Sequence, residues 1–439
     1  MLYSLSQRYT HIYASYFEKI MWKHVSEDFW AENRASKVDQ VNDTVKAIIE
    51  QVRKDGDKAL IELAEKFDKV KLKSVAVSRD EIEAAYEKVS QDVVDELENA
   101  AYNIERFHKM QKPAGLWLTE VEPGITLGVK TTPLERVGCY IPGGRASYPS
   151  TVLMTAIPAK VAGVDEVIMF TPAPANPLTL VAADIAGVDE IYYSGGAQAI
   201  AAMALGTESV EPVQKIVGPG NVFVTAAKMM LRDKVDIDFP AGPSEVAVLA
   251  DETADVDFVA MDLVAQAEHD PSSACILITN DPDLPDKAWA IMEKYIAEAP
   301  RKEIIEKAMN NSGYIITTDM DLAVEIMNEI APEHLSIQTK DPLDTLSKVR
   351  NAGSIFVGPY TPVAAGDYAS GTNHVLPTAG HAKTCSGLNV MAFMKTSTVQ
   401  YLSREGLANL APTVETLANA EGLYAHGASV SVRDVGDEE

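Results

Sequence analysis

Cysteine is scarce in this chain, with only Cys139, Cys275 and Cys385 among 439 residues. Thiols so few and so scattered build neither a disulfide framework nor a thiolate zinc knuckle, and the expected compartment is the reducing cytoplasm. No run approaches the roughly 20 apolar residues of a spanning helix. Met1 to Ile20 mixes Arg8, His11, Glu18 and Lys19 into its aromatics, which the apolar segment of a signal peptide would not. Basic residues are also short, 38 Lys and Arg against 64 Asp and Glu, for a formal net charge of −26. A nucleic-acid or anionic-membrane partner needs clustered cations, so neither is expected. Two further absences bear on chemistry: there is no G-x-G-x-x-G fingerprint, and histidine occurs only eight times.

What is present is an ordinary globular composition, 46% hydrophobic and 23% charged, in a length that suits two or more domains. Val41, Val45, Ile48, Ile49 and Val52 recur at helical spacing and Ser78-Arg-Asp-Glu81 reads as a capped start, so Val38 to Pro113 is expected to be a helical lead-in. From Gly138, strand-like runs at Val167 to Phe170, Ile191 to Tyr193 and Ile216-Val217 alternate with helical patterns over Ser150 to Val161, Leu178 to Ala186 and Ala199 to Gly206. A second series follows Pro240-Ala-Gly-Pro243, with strands near Val246 to Leu249, Ile276 to Thr279, Tyr314 to Thr317, Leu335 to Ile337 and Ile355 to Val357. Such alternation wraps a parallel sheet in helices. The fold class is therefore α/β, two successive Rossmann-like parallel modules with helical N-terminal and C-terminal arms. Pro359 to Ser386, rich in Gly, Pro, Thr and Ala, reads as a functional loop, and Val390 to His426 as helical again. A second methionine, Met21, makes the first 20 residues readable as an extension the fold does not need.

Four polar islands hold most of the candidate chemistry: Gln266-Ala-Glu-His269, Pro332-Glu-His334, Gly366-Asp367 through Asn373-His374, and Glu421 through His426. Imidazoles beside carboxylates and amides are material for a metal site and a proton relay. Gln266 and His269, three apart, share one face of a helix end and suit two ligands; a solvated helix end, with the imidazole favoured by the macrodipole, explains them at least as well. Glu333 and His334 enter an apolar strand behind Pro332, so their side chains are expected on different sides of the backbone, serving two proton-transfer tasks. A turn carboxylate and a half-buried imidazole fit the same residues. Asp367 and His374 stand among small residues that let the backbone approach a ligand, or form a loop in which Asp367 caps its own backbone. For Glu421 and His426 the default is an exposed helix terminus. Glycine-rich turns at Gly138 to Arg145, Gly195 to Gln198 and Gly218 to Asn221 border predicted strands; they offer N–H groups to phosphates or are simply tight βα turns.

Taken in order, Val137-Gly-Cys-Tyr-Ile-Pro-Gly-Gly144, Gly195-Gly-Ala-Gln-Ala-Ile200, Gly218-Pro-Gly-Asn221, Pro240-Ala-Gly-Pro-Ser-Glu245, Gln266-Ala-Glu-His269, Pro332-Glu-His334 and Asp367-Tyr-Ala-Ser-Gly-Thr-Asn-His-Val-Leu-Pro377 resemble histidinol dehydrogenase. The resemblance spans about Arg34 to Val430. It implies a homodimeric zinc enzyme that oxidises L-histidinol to L-histidine with two NAD+, the last steps of histidine biosynthesis. By motif position it places zinc ligands on Gln266, His269, Asp367 and His426, the last contributed from the partner subunit, and the acid–base pair on Glu333 and His334. Substrate contacts fall on Ser244, His374 and Glu421 beside those ligands and His334, and NAD contacts on Tyr140, Gln198 and Asn221. The implied organisation is an N-terminal helical arm over 1–35 and a catalytic zinc domain from 36–137 and 244–387. An NAD-binding domain over 138–243 and a C-terminal helical dimerisation arm over 388–439 complete it.

The donor types fit that assignment. Nitrogen and oxygen ligands without thiolate suit a borderline cation, and an imidazole-bearing amino alcohol can itself donate nitrogens. Some aldehyde-oxidising enzymes use a cysteine nucleophile, but none of the three cysteines has a neighbouring histidine and all are expected to be structural. The nearest rival is a related zinc and NAD dehydrogenase acting on another small alcohol, such as a sulfonated diol. A metal-dependent hydrolase would leave the glycine-rich turns and Asn221 idle, and a non-catalytic interaction protein would leave the polar islands unexplained.

Overall fold

A computed structural model describes residues 22–26, 29, 38–143, 147–240 and 242–433. After three α-helices, Asn42–Leu63, Arg79–Tyr86 and Gln91–Gln111, β1 (Leu116–Glu122) and β2 (Ile125–Pro133) form an antiparallel hairpin. A parallel sheet follows, built from β3 (Arg136–Tyr140), β4 (Glu166–Thr171), β5 (Glu190–Tyr193), β6 (Lys215–Val217) and β7 (Asp236–Ile237) in the order β5-β4-β3-β6-β7. A second parallel sheet repeats the plan with β8 (Glu245–Ala250), β9 (Ala274–Thr279), β10 (Gly313–Ile316), β11 (His334–Gln338) and β12 (Ser354–Val357) in the order β10-β9-β8-β11-β12. Each sheet grows outward from its first strand in one direction and then the other. In doubly wound sheets that reversal opens a crevice, here between β3 and β6 and between β8 and β11.

The expected strands of both modules are found at their expected places. Central strands such as β8, Glu-Val-Ala-Val-Leu-Ala, and β9, Ala-Cys-Ile-Leu-Ile-Thr, are buried at every residue, as strands covered on both faces must be. The helices of residues 42–111, grouped above with the second module, pack on the first. Val45, Ile49, Val52 and Leu60 join the core under Ile168, Phe170 and Ile216, while Val94, Leu97 and Ile104 join the opposite face with Val152 and Met169.

The C-terminal stretch is not helical throughout. Met394–Leu402 forms β13, paired antiparallel along its whole length with β2. Its Thr-Ser-Thr-Val run has the β-branched character of a strand, and β2 presents an edge that only hydrogen bonding from a strand satisfies. Helices resume at Arg404–Ala420 and Tyr424–Ser431. The expected N-terminal arm lies mostly outside the described residues. Within them, Val25 donates to the Tyr314 carbonyl and Tyr314 to the Lys23 carbonyl, so Lys23–Val25 lies along the edge of β10, with Trp22 stacked on Trp289. No helix among the described residues is long and apolar enough to cross a membrane.

Candidate active site at the junction of the two sheets

The chain passes from β7, at one edge of the first sheet, to β8, the central strand of the second. Hydrogen bonds close the junction. Asn373 Nδ2 donates to the Met154 carbonyl at 2.7 Å, Gly242 N–H to Thr378 Oγ1 at 2.5 Å, and His374 Nε2 meets Thr151 Oγ1 at 3.1 Å. His374 Nδ1 lies 2.8 Å from the Asp367 carbonyl, which can only accept, so Nδ1 carries a hydrogen and Nε2 accepts from Thr151. Burial holds the His374 pKa below its ordinary value despite the nearby Asp367 carboxylate.

The centre of the site is a buried group at the amino ends of β8 and β11. His334 opens β11, and its Nδ1 donates to the backbone carbonyl of Glu245 at 3.0 Å. Glu333 Oε2 accepts from the Glu245 N–H at 2.8 Å, and a Glu245 carboxylate oxygen faces the Glu333 N–H at 3.3 Å, a reciprocal clamp between the two acids. The sequence pattern placed the Glu333 and His334 side chains on opposite sides of an extended backbone, but they converge: Glu333 Oε2 is 3.4 Å from His334 Nδ1. Residue 333 precedes the regular strand, behind Ala331 in the left-handed region at φ 50°, and its side chain turns back to the N–H of β8. Alternation does not govern a turn.

His334 Nε2 points the other way, 3.5 Å from Asp367 Oδ1, an ion-pair distance too long for a good hydrogen bond. Burial disfavours charge on this ring, but Glu333 and Asp367 outweigh it and hold the pKa well above the ordinary value. Burial likewise pushes Asp367 up, and His334, with help from His374 and His269, brings it below the usual carboxylate range. This is a coupled acid–imidazole–acid relay with one nitrogen fixed and one available.

The expected metal donors are partly gathered. Gln266 is buried in the last turn of the helix Val256–Ala267, and its Nε2 finds no partner. His269 lies just past the helix end and is exposed, so the pair does not share a helix face, yet its imidazole is near enough to lower the Asp367 pKa. Glu421 caps the helix Arg404–Ala420 and His426 sits on Tyr424–Ser431, both exposed on a hairpin of helices that packs on itself and on β13. Among the described residues, no three His, Cys, Asp or Glu side chains of one chain stand close enough to hold a metal. Ser244 is half-buried at the entry to β8.

At the carboxyl edge of the first sheet, Tyr140 ends β3 with its hydroxyl accepting from the Gly196 N–H at 2.9 Å, and burial pushes that hydroxyl up to about 12. Gln198 is buried in the first turn of the helix Gly196–Leu205, and exposed Asn221 caps Val222–Met230 by accepting from Phe223 and Val224 N–H groups. Two residues absent from the sequence reading secure this edge. Lys228 Nζ donates to the Gly218 carbonyl at 2.6 Å and to Asp238 at 2.7 Å, while the Gly218 N–H donates to the other Asp238 oxygen at 2.8 Å. Gly218 has φ 114°, and a Cβ there would strike the Tyr140 carbonyl. Glu245 was also missed as a site residue; an acid opening a strand otherwise wholly apolar is the signal that marks it. Cys139 and Cys275 are buried with thiols pushed up to about 12 by that burial, so neither is a thiolate nucleophile.

Two nucleotide-binding-type sheets meeting at a carboxylate–imidazole relay define an α/β enzyme of the dehydrogenase class. A family model described as histidinol dehydrogenase matches residues 31–434. Histidinol dehydrogenase of Methanosarcina mazei is 50% identical over 405 residues, 91% of this chain and 94% of that one, and that of Methanothermobacter thermautotrophicus is 51% identical over 414 residues, 93% and 96%. The crystal structure of histidinol dehydrogenase from Elizabethkingia anophelis superposes with a TM-score of 0.91 at 39% identity, covering 95% of this chain and 99% of that one. The chain belongs to the histidinol dehydrogenase family.

Proposed function

We propose that this protein oxidises L-histidinol through the aldehyde to L-histidine in the cytoplasm, with zinc and two NAD+, in a homodimer whose sites take residues from both subunits. The observation that carries the reading is His334, fixed through Nδ1 to the Glu245 carbonyl and presenting Nε2 beside Asp367, with the Glu333 carboxylate against the same ring.

The residues fit both absent groups. Gln266 offers a buried amide, with Asp367 and His269 near each other; an amide oxygen, a carboxylate and an imidazole nitrogen are donors that suit zinc, and a fourth would join them. His426 supplies it from the partner. β1, exposed along its whole length with Leu116, Trp117 and Leu118, and the terminal helices with exposed Leu417, Tyr424 and Val432, form the apolar surface on which the partner docks. NAD+ fits the crevice between β3 and β6, where Tyr140, Gln198 and Asn221 border the turns.

When bound, zinc supplies a template for the amino and imidazole nitrogens of the substrate, and NAD+ accepts one hydride in each half of the reaction. His334 Nε2 takes the alcohol proton as the carbon–hydrogen bond is given up, leaving the aldehyde. Glu333 removes a proton from water as it adds to the aldehyde, and His334 takes the hydroxyl proton of the hydrate in the second oxidation. A cation held at Asp367 would withdraw one of the two carboxylates that favour the proton on His334 and so would make the ring a better base. Ser244, His374 and Glu421 hold the substrate.

Purified enzyme with L-histidinol and excess NAD+, with and without a chelator, tests the reading by counting NADH per substrate consumed. Two NADH, lost on zinc removal, are expected. One NADH with accumulating aldehyde would remove Glu333 from the second half, and no turnover would point to another alcohol.

A further inference from the structure

One buried acid beneath the site belongs to neither the relay nor the donor set. Asp262 faces inward from the helix Val256–Ala267, and burial pushes its carboxyl up to about 6 against the pull of hydrogen bonds from Ser336 and the Val363 N–H. Ser336 Oγ, in β11, donates to Asp262 Oδ2 at 2.9 Å and is itself held by Gln338 Nε2 at 3.1 Å. Val363 opens the short helix Val363–Tyr368, whose N-cap residue Pro362 makes no side-chain cap, so Asp262 supplies an acceptor to an otherwise orphaned end.

From Asp262 three segments rise to the site by matching steps. Gln266 is one turn along its own helix, about 6 Å at ~1.5 Å per residue. His334 is two residues back along β11 from Ser336, about 6.6 Å and on the same face. Asp367 is four residues beyond Val363, again about 6 Å. A helix crossing between parallel strands runs antiparallel to them, so the end bearing Gln266 lies toward the amino end of β11, where His334 stands.

We propose that Asp262 is a positioning residue whose carboxylate pins the helix Val256–Ala267, strand β11 and the helix Val363–Tyr368 in the register that brings Gln266, His334 and Asp367 to one level. The proposal rests on the reading of Gln266 and Asp367 as zinc donors. Truncation at 262 unties all three segments. An amide of the same size keeps the Val363 N–H only by reversing the Ser336 bond, which displaces the Ser336 hydrogen from the acceptor it now has.

Zinc is titrated into the metal-free full-length protein in competition with a chromogenic chelator, and NAD+ affinity is measured by calorimetry on the same samples. Asp262→Ala and Asp262→Asn are each expected to weaken zinc about 10- to 100-fold, as loss of a group orienting metal ligands does, and to lower kcat with it. NAD+ affinity, set in the other module, is expected to stay within about two-fold. Zinc affinity within about two-fold of the parent in both variants overturns the proposal, as does a parallel loss of zinc and NAD+ binding, which marks general loosening. A parent protein that binds no zinc overturns the metal reading instead. The positioning role is then decided by whether kcat with L-histidinol falls at unchanged NAD+ affinity.

Discussion

His334 Nδ1 donates to the main-chain carbonyl of Glu245 across the gap between β11 and β8, at 3.0 Å. The acceptor is backbone and cannot be titrated, so the tautomer is set and Nε2 alone exchanges a proton. Glu333, clamped to the Glu245 N–H, is held beside the ring but away from Nε2, which assigns the two groups different protons. Glu333→Gln is therefore expected to lower histidine formation by about 100-fold or more while aldehyde still forms; His334→Ala lowers both halves. Single-turnover product analysis distinguishes the two, and equal loss in both halves for Glu333→Gln would refute the division of labour.

The metal-free protein should lose stability as the pH rises above neutrality. His334 has a folded pKa raised above its unfolded value near 6.5, so its contribution is complete below that value and is lost as the pH climbs through the folded pKa. Asp367, depressed from 3.8, behaves oppositely: its contribution is present above the unfolded value and lost as the pH falls through the folded one. Thermal melts of metal-free protein from about pH 6 to about pH 9 are expected to show a declining midpoint that flattens in His334→Gln. A midpoint rising over that range in the parent would contradict the assignment.

Both sheets were legible in the sequence because fully buried strands such as β8 and β9 announce themselves as unbroken apolar runs between helical patterns. β1 and β13 were not: β1 is exposed at every residue and β13 at most, so neither shows the regular apolar and polar alternation of a half-buried strand. At the site, Glu333, His334, Asp367 and His374 were found from residue type, but their mutual geometry was not. The convergence of Glu333 on His334 depends on a turn that local alternation cannot describe. Lys228 and Asp238 were invisible because, before folding brings them together, each looks like an ordinary surface charge.

That buried pair gives a third expectation. Lys228 and Asp238 are 3% and 2% exposed, and between them they satisfy both backbone groups of Gly218. Lys228→Met leaves Asp238 buried without its partner, a loss of about 3–5 kcal/mol. Adding Asp238→Asn should recover part of it, because the uncompensated charge goes. Denaturant unfolding measures both. NAD+ affinity is expected to fall with Lys228→Met while zinc affinity holds, and a loss under about 1 kcal/mol would show that the pair is dispensable.

The edge of β10 is covered by Lys23–Val25, with Trp22 against Trp289. Deleting residues 1–21 retains that cover and is expected to leave melting and solubility unchanged. Deleting residues 1–26 bares a strand edge, and an uncovered edge pairs with other chains. Light scattering on warming should then show aggregation well before the parent; equal behaviour of the two deletions would mean that this segment does not guard the edge.

The position of His426 gives the strongest test of assembly. Within one chain it lies exposed on the terminal helical hairpin, which packs on itself and on β13, while Gln266 and Asp367 lie at the second sheet. If the fourth donor comes from the partner, a His426→Ala subunit still offers an intact Glu333, and a Glu333→Ala subunit still offers an intact His426. Each homodimer should be nearly inactive. In a mixed dimer one site carries both lesions and the other carries neither, so a statistical mixture, half of it heterodimer, should recover about one quarter of parental activity. Exchange is verified by differently tagged subunits. Recovery near zero despite verified exchange would place His426 in its own subunit's chemistry.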